Sequence, residues 1–236
     1  LRQFCLYRRR YDPTAFVPPP RWTRCPAASR FLPHVLSPMA VRALLRRTNK
    51  LRRPFRARLY RMLLLVLYCT GIRFGEALRL SMRDVDVEGR VLFVAETKGR
   101  SRWVPFHRSL SVELRRYLVE RRAYARAHAE DRLFVGPDRR RLLTGTAWKT
   151  VCNLFRSVGL KPARGRVGPR PYDFRHTFAV HRLERWYRDG VDVNARLAWL
   201  SAYMGHDDIL GTETYLTATP RLLGVAARLF GHDWRF

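Results

Sequence analysis

Residues 84–107 read DVDVEGRVLFVAETKGRSRWVPFH, and no other stretch limits the fold as much. Apolar, β-branched residues alternate with polar ones, and turn signals stand at Glu88-Gly89 and Lys98-Gly99. This predicts antiparallel β structure from Val85 to Phe106. On both sides the apolar spacing is helical. Ser37-Pro38 pairs an N-cap with proline at the first helical position, and Val41, Leu44 and Leu45 follow at helical spacing. A second helix, from about Phe55 to Cys69, is apolar enough to be buried. It closes at Thr70-Gly71, where glycine can take the left-handed cap conformation. Further helices are predicted from Ser109 to about His128, Thr144 to about Val158, and Asp192 to about Tyr203. Others open at Pro171 and run from Pro220 to Phe230. Leu110, Leu114, Tyr117 and Leu118 give the 109–128 helix its apolar face, and its arginines are expected in solvent or facing a ligand. The predicted class is mainly α with a small antiparallel β-sheet.

Charge narrows the partner. The chain has 236 residues, 47% of them apolar, enough for one or two domains with a core. It carries 47 Lys+Arg against 19 Asp+Glu, a net charge of +28. A compact fold with that excess repels itself unless it faces a polyanion, which points to nucleic acid. Arg139-Arg140-Arg141 is a basic loop suited to phosphates, and Lys149 stands on the next predicted helix. No two of the four cysteines lie at C-x-x-C spacing, so neither a zinc site nor a redox pair is signalled. Cys69 and Cys152 sit in apolar helical patterns and are expected in the core. The run Met62 to Cys69 is too short to span a bilayer. The expectation is a cytoplasmic protein without membrane contact. The chain does not begin with Met and shows no signal peptide, so it is read as a fragment or a trimmed chain.

Chemistry concentrates in residues 171–215. Tyr172 and Arg175 stand one turn apart at the start of a helix, beside His176, and the positive end of that helix favours phosphate. Phe174 and Phe178 point elsewhere, into the core. Gly205-His206 follows the 192–203 helix, and Tyr215 comes nine positions after His206. Arginine, histidine and tyrosine are the side chains needed to attack a phosphodiester with a phenolate and to steady the charge that builds on phosphorus. Upstream, GIRFGEALRL (71–80) sets Arg73 after a glycine break, aimed as a guanidinium that binds phosphate oxygens should be.

Together these blocks resemble the tyrosine recombinases, the family of phage integrases and Xer-type recombinases. Tyr172-Asp173-Phe174-Arg175-His176-Thr177-Phe178 is similar to H-x-L-R-H-T-F, Met204-Gly205-His206 to L-G-H, and Tyr215 has the family's spacing. GIRFGEALRL resembles G-[LM]-R-x-x-E-[AIL]-x-x-L, and Lys98 to Phe106 resembles the family's K-G-x-K-x-R-x-V-P-L hairpin, one residue shorter.

The resemblance implies a tyrosine recombinase catalytic-domain fold over 37–236. A Pro-rich linker would occupy 17–36, and 1–16 would be the remnant of an N-terminal DNA-clamp domain. It assigns Tyr215 as nucleophile, Arg73 and Arg175 to the phosphate, Lys98 as general acid and His206 as phosphate hydrogen-bond donor. Glu76 and His176 support the site. Tyr172 stands where the family usually has His, which lessens the role of base catalysis there. Arg100, Arg102, Arg139, Arg140, Arg141 and Lys149 are read as DNA contacts. Four protomers would exchange strands between two duplexes without metal or nucleotide cofactor, in association with the bacterial nucleoid. Two other readings fit the same residues: a DNA-binding mobile-element relic, and a relaxing enzyme like a type IB topoisomerase.

Overall fold

The computed structural model describes residues 2–17, 34–95, 101–125, 131–165 and 167–205. The chain forms two compact units, Leu1–Leu32 and Pro33–Phe236. In the first, helix α1 (Arg2–Arg8) runs into a turn where the Asp12 carboxylate accepts from the Thr14 N–H and hydroxyl.

The second unit is built on α3 (Pro54–Thr70), which packs against α2 (Pro38–Thr48), α4 (Phe74–Arg79), α5 (Arg108–Ala125) and α7 (Asp173–Arg188). Its run of Leu, Met, Val and Tyr from Leu59 to Leu67 is buried nearly all round, as expected of a helix with neighbours on several sides. Gly71 ends it at φ 64°, and a Cβ there would lie 2.4 Å from Phe178 Cδ1. The position therefore needs both the left-handed backbone and the missing side chain. Ser37 caps α2 as its sequence predicts, its Oγ accepting from the Ala40 N–H at 3.1 Å.

The predicted β segment forms a three-stranded antiparallel sheet in the order β1 (Val85–Asp86), β2 (Val91–Val94), β3 (Arg102–Pro105). The β2–β3 register pairs Leu92 with Val104 and Val94 with Arg102. Leu92, Val94 and Val104 are buried, while the Phe93 and Trp103 rings meet on the outer face with centroids 4.8 Å apart. The main core gathers α2–α6 and the sheet, where α6 is Thr144–Ser157. A second apolar cluster joins α7 to α8 (Val193–Met204), through Phe178, Leu183, Leu197, Leu200 and Met204. Tyr203 packs against both.

Some expectations shift. Leu36, assigned to the linker, is buried in the main core, and its N–H donates to Thr177 Oγ1 at 3.0 Å. Helix α7 starts at Asp173 with Tyr172 as its N-cap, two residues later than Pro171. Arg121 is buried rather than solvated, its Nε and Nη2 both donating to the Arg132 carbonyl at 3.1 and 2.7 Å. Cys152 is buried and Cys69 partly so, with burial pushing the Cys69 thiol up to about 11. No helix among the described residues is long and apolar enough to cross a membrane. The helix predicted over 220–230 lies outside the described residues.

Candidate active site

Glu76 is the anchor. Its side chain is 1% exposed, and it occupies the third position of α4, from which a carboxylate can turn back to the start of its own helix. Oε2 accepts from the Arg73 backbone N–H at 2.8 Å, and Oε1 from Arg73 Nη1 at 2.9 Å. Arg102 approaches from β3 with both terminal nitrogens, Nη1 to Oε1 at 3.3 Å and Nη2 to Oε2 at 2.8 Å. Burial alone would raise the Glu76 carboxyl. The Arg102 hydrogen bonds and charge, with the Arg73 N–H and guanidinium, outweigh it and hold the carboxyl below its ordinary value.

The last turn of α8 is held by three arginines. Arg102 Nε donates to the Tyr203 carbonyl at 3.0 Å, Arg175 Nη2 to that of Met204 at 2.7 Å, and Arg73 Nη2 to that of Gly205 at 2.7 Å. A helix C-terminus leaves carbonyls unsatisfied and carries partial negative charge, so guanidinium groups fit it on both counts. Gly205 lies at φ 68°, and a Cβ on it would stand 2.8 Å from the Arg102 Cζ. The glycine is thus required by its backbone angle and by the arginine packed against it. Arg175 also donates through Nη1 to the Gly71 carbonyl at 3.0 Å, tying the end of α3 to the end of α8. Its residue is 1% exposed, whereas the Arg73 side chain is 34% exposed. Arg73 and Arg102 share the Glu76 carboxylate while Arg175 bonds backbone carbonyls, so three guanidiniums around one carboxylate leave an excess of positive charge suited to an oxyanion.

The other predicted residues are placed as follows. Tyr172 is 37% exposed, its ring edge-on to His176 with centroids 5.0 Å apart. Below it, Asp173 accepts from the Arg170 N–H at 2.7 Å. Burial raises the Asp173 carboxyl, with the Arg170 N–H and charge opposing. Arg139, Arg140, Arg141 and Lys149 are exposed, as phosphate contacts must be, and Arg139 lies over the Tyr124 ring at 5.7 Å. Arg102 does not face outward as a DNA contact would: its side chain is 9% exposed and spent on Glu76 and Tyr203. Strand alternation was the available signal, because residue 102 shares its face with buried Val104. Lys98, Arg100, His206 and Tyr215 lie outside the described residues. Among the described residues no three His, Cys, Asp or Glu side chains gather as a metal site.

The model of the phage integrase family matches residues 34–221. The chain is 35% identical over 241 residues to y4rB of Sinorhizobium fredii, a protein assigned to the integrases and recombinases, covering 99% of this chain and 76% of that one. It is 32% identical over 167 residues to the tyrosine recombinase XerA of Pyrococcus horikoshii, covering 69% of this chain and 52% of XerA. It thus spans about half the length of that relative. Among solved structures, that of XerA recombinase superposes with a TM-score of 0.67 at 24% identity, covering 90% of this chain and 70% of XerA. The structure of XerH on its palindromic difH substrate gives 0.66 at 21% identity, covering 88% and 56%, and both express the same fold. With Arg73 and Arg175 bonded to the end of α8 and Glu76 holding Arg73, the chain belongs to the phage integrase family and is a tyrosine-type site-specific DNA recombinase.

Proposed function

We propose that Tyr215 attacks the scissile phosphate of a duplex held against the Arg73–Arg175 cluster, forming a 3′-phosphotyrosine. The bond between phosphorus and the 5′ oxygen breaks as the tyrosine–phosphorus bond forms. The phenolic proton passes to solvent water, and the 5′ oxygen gains one from Lys98, so the exchange is neutral in protons. Arg73 and Arg175 neutralise the non-bridging oxygens of the pentacoordinate transition state, and His206 donates a further hydrogen bond. The covalent link conserves the phosphodiester, so a partner strand's 5′-hydroxyl can rejoin it. Neither metal nor nucleotide is needed for these steps.

One observation carries the reading. Arg73 and Arg175, far apart in sequence, hold the consecutive carbonyls of Gly205 and Met204. Two of the assigned residues therefore meet at the helix end that precedes His206 in the sequence. Arg175 is 1% exposed, so its share of the phosphate requires the site to open. Tyr172, exposed at the head of α7, supplies a hydroxyl to the phosphate rather than a base. Exposed Arg139, Arg140, Arg141 and Lys149 contact the DNA backbone. Four protomers act on two duplexes of nucleoid DNA.

The test is covalent trapping. Nicked duplexes carrying candidate sites are incubated with the parent and with Tyr215→Phe, denatured and resolved for a DNA–protein adduct. An adduct from the parent that the variant loses supports the nucleophile. An adduct that persists in Tyr215→Phe removes Tyr215 from the mechanism. The relatives are recombinases, which favours strand exchange over supercoil relaxation, and recombinant product rather than relaxed plasmid is expected.

A further inference from the structure

Arg102 opens β3, opposite Val94, and so stands at the root of the connection 95–101 in which Lys98 lies. The same guanidinium reaches three places at once. It forks onto Glu76, which holds the start of α4 and Arg73. It donates to the Tyr203 carbonyl in the last turn of α8. It also fills the notch left by the missing Cβ of Gly205, with Cζ 2.8 Å from where that Cβ would be. The Tyr203 hydroxyl closes the arrangement by donating back to the Pro105 carbonyl at the far end of β3, at 3.0 Å. β3 and the end of α8 are therefore pinned at both ends of the strand.

We propose that Arg102 is a positioning residue that pins the start of β3, the strand that follows Lys98 in sequence, to the end of α8 that precedes His206, so that the general acid is set against the phosphate-binding groups. The proposal rests on the roles given above to Lys98 and His206. Lysine cannot replace Arg102, because a single ammonium lacks the planar fork that meets a carboxylate with two nitrogens while a third bonds a carbonyl. Arg102 touches neither DNA nor the reacting atoms. Its loss should slow chemistry and leave DNA affinity intact, the opposite of what a backbone-contacting arginine would do.

Two measurements test this. The first needs no activity. Gly205→Ala collides with Arg102, while Arg102→Gln vacates the space, so the double variant should lose less in melting temperature than the two single losses added. Additive losses would overturn the proposed packing of Arg102 on Gly205. If Arg102→Gln does not fold, Arg102→Lys takes its place in the cycle. The second compares cleavage of a nicked duplex with that of the same duplex carrying sulfur as the 5′ bridging atom. A thiolate leaves without a general acid, so this substrate bypasses Lys98. For Arg102→Gln the expected result is DNA affinity within about twofold of the parent and adduct formation slowed roughly 100-fold, the scale of a 1 Å misplacement. Most of that loss should be recovered on the sulfur substrate. Equal loss on both substrates, or an affinity that falls in step with cleavage, would overturn the proposal. A parent that forms no adduct on either substrate would sink the nucleophile assignment instead, and the melting cycle would then decide on Arg102.

Discussion

Replacing Glu76 by glutamine keeps the shape of the side chain and removes its charge, and the structure sets the cost. Each carboxylate oxygen receives two donors: Arg73 Nη1 and Arg102 Nη1 on Oε1, the Arg73 N–H and Arg102 Nη2 on Oε2. Whichever way the glutamine amide turns, its NH2 group faces two N–H donors that have lost their acceptor. A buried donor left unmatched costs about 1–3 kcal/mol. Breaking a buried ion pair by removing one partner costs about 3–5 kcal/mol. Glu76→Gln should therefore destabilise the fold by roughly 3–5 kcal/mol, a drop near 10 °C in melting temperature at about 2–4 °C per kcal/mol for a chain of this size. The effect also carries a pH signature. The Glu76 carboxyl is held below its ordinary value, so its contribution is fully present above the unfolded carboxylate value of about 4.3 and fades as pH falls through the folded one. The gap between parent and variant, followed by circular dichroism melts, should be wide at neutral pH and narrow below about pH 4. A drop under about 3 °C at pH 7, or a gap that does not change with pH, would refute the reasoning.

Other perturbations test separate parts. Gly71→Ala forces a Cβ to within 2.4 Å of Phe178 and strains a φ of 64°; overpacking and backbone together should cost about 2–4 kcal/mol, read in a urea titration. Tyr172→Phe removes only a hydroxyl, so cleavage should slow roughly 10- to 100-fold with folding intact; cleavage at the parental rate would strip that hydroxyl of a role. Arg139, Arg140 and Arg141 changed together to alanine should weaken binding to all duplexes alike. The slope of log K against log salt should become shallower by about 0.9 for each phosphate the loop no longer neutralises, and an unchanged slope would take the loop off the DNA.

What could be read from the sequence is what short-range chemistry writes there. Ser37-Pro38 and Thr70-Gly71 each announce a helix end through a cap that acts within a few residues, and both stand where expected. The alternation across 84–107 likewise determined a sheet, because one face of each strand has to be buried. The clamp on α8 left no comparable trace. Its acceptors are the backbone carbonyls of Tyr203, Met204 and Gly205, and a carbonyl is the same at every position, so no side-chain pattern marks which three will be bound. Its donors come from α4, β3 and α7, brought together only by tertiary packing. Arg121 evaded its helical pattern for the same reason, since its partner is the Arg132 carbonyl in the strand-like segment beyond. Gly205 was legible as a helix stop, yet its second requirement, room for the Arg102 guanidinium, exists only between β3 and α8. In a chain with so many more cations than anions, charge alone reads as a DNA surface. Arg102 and Arg175 show that part of this charge is instead consumed inside the protein, holding together the helix end on which the proposed chemistry depends.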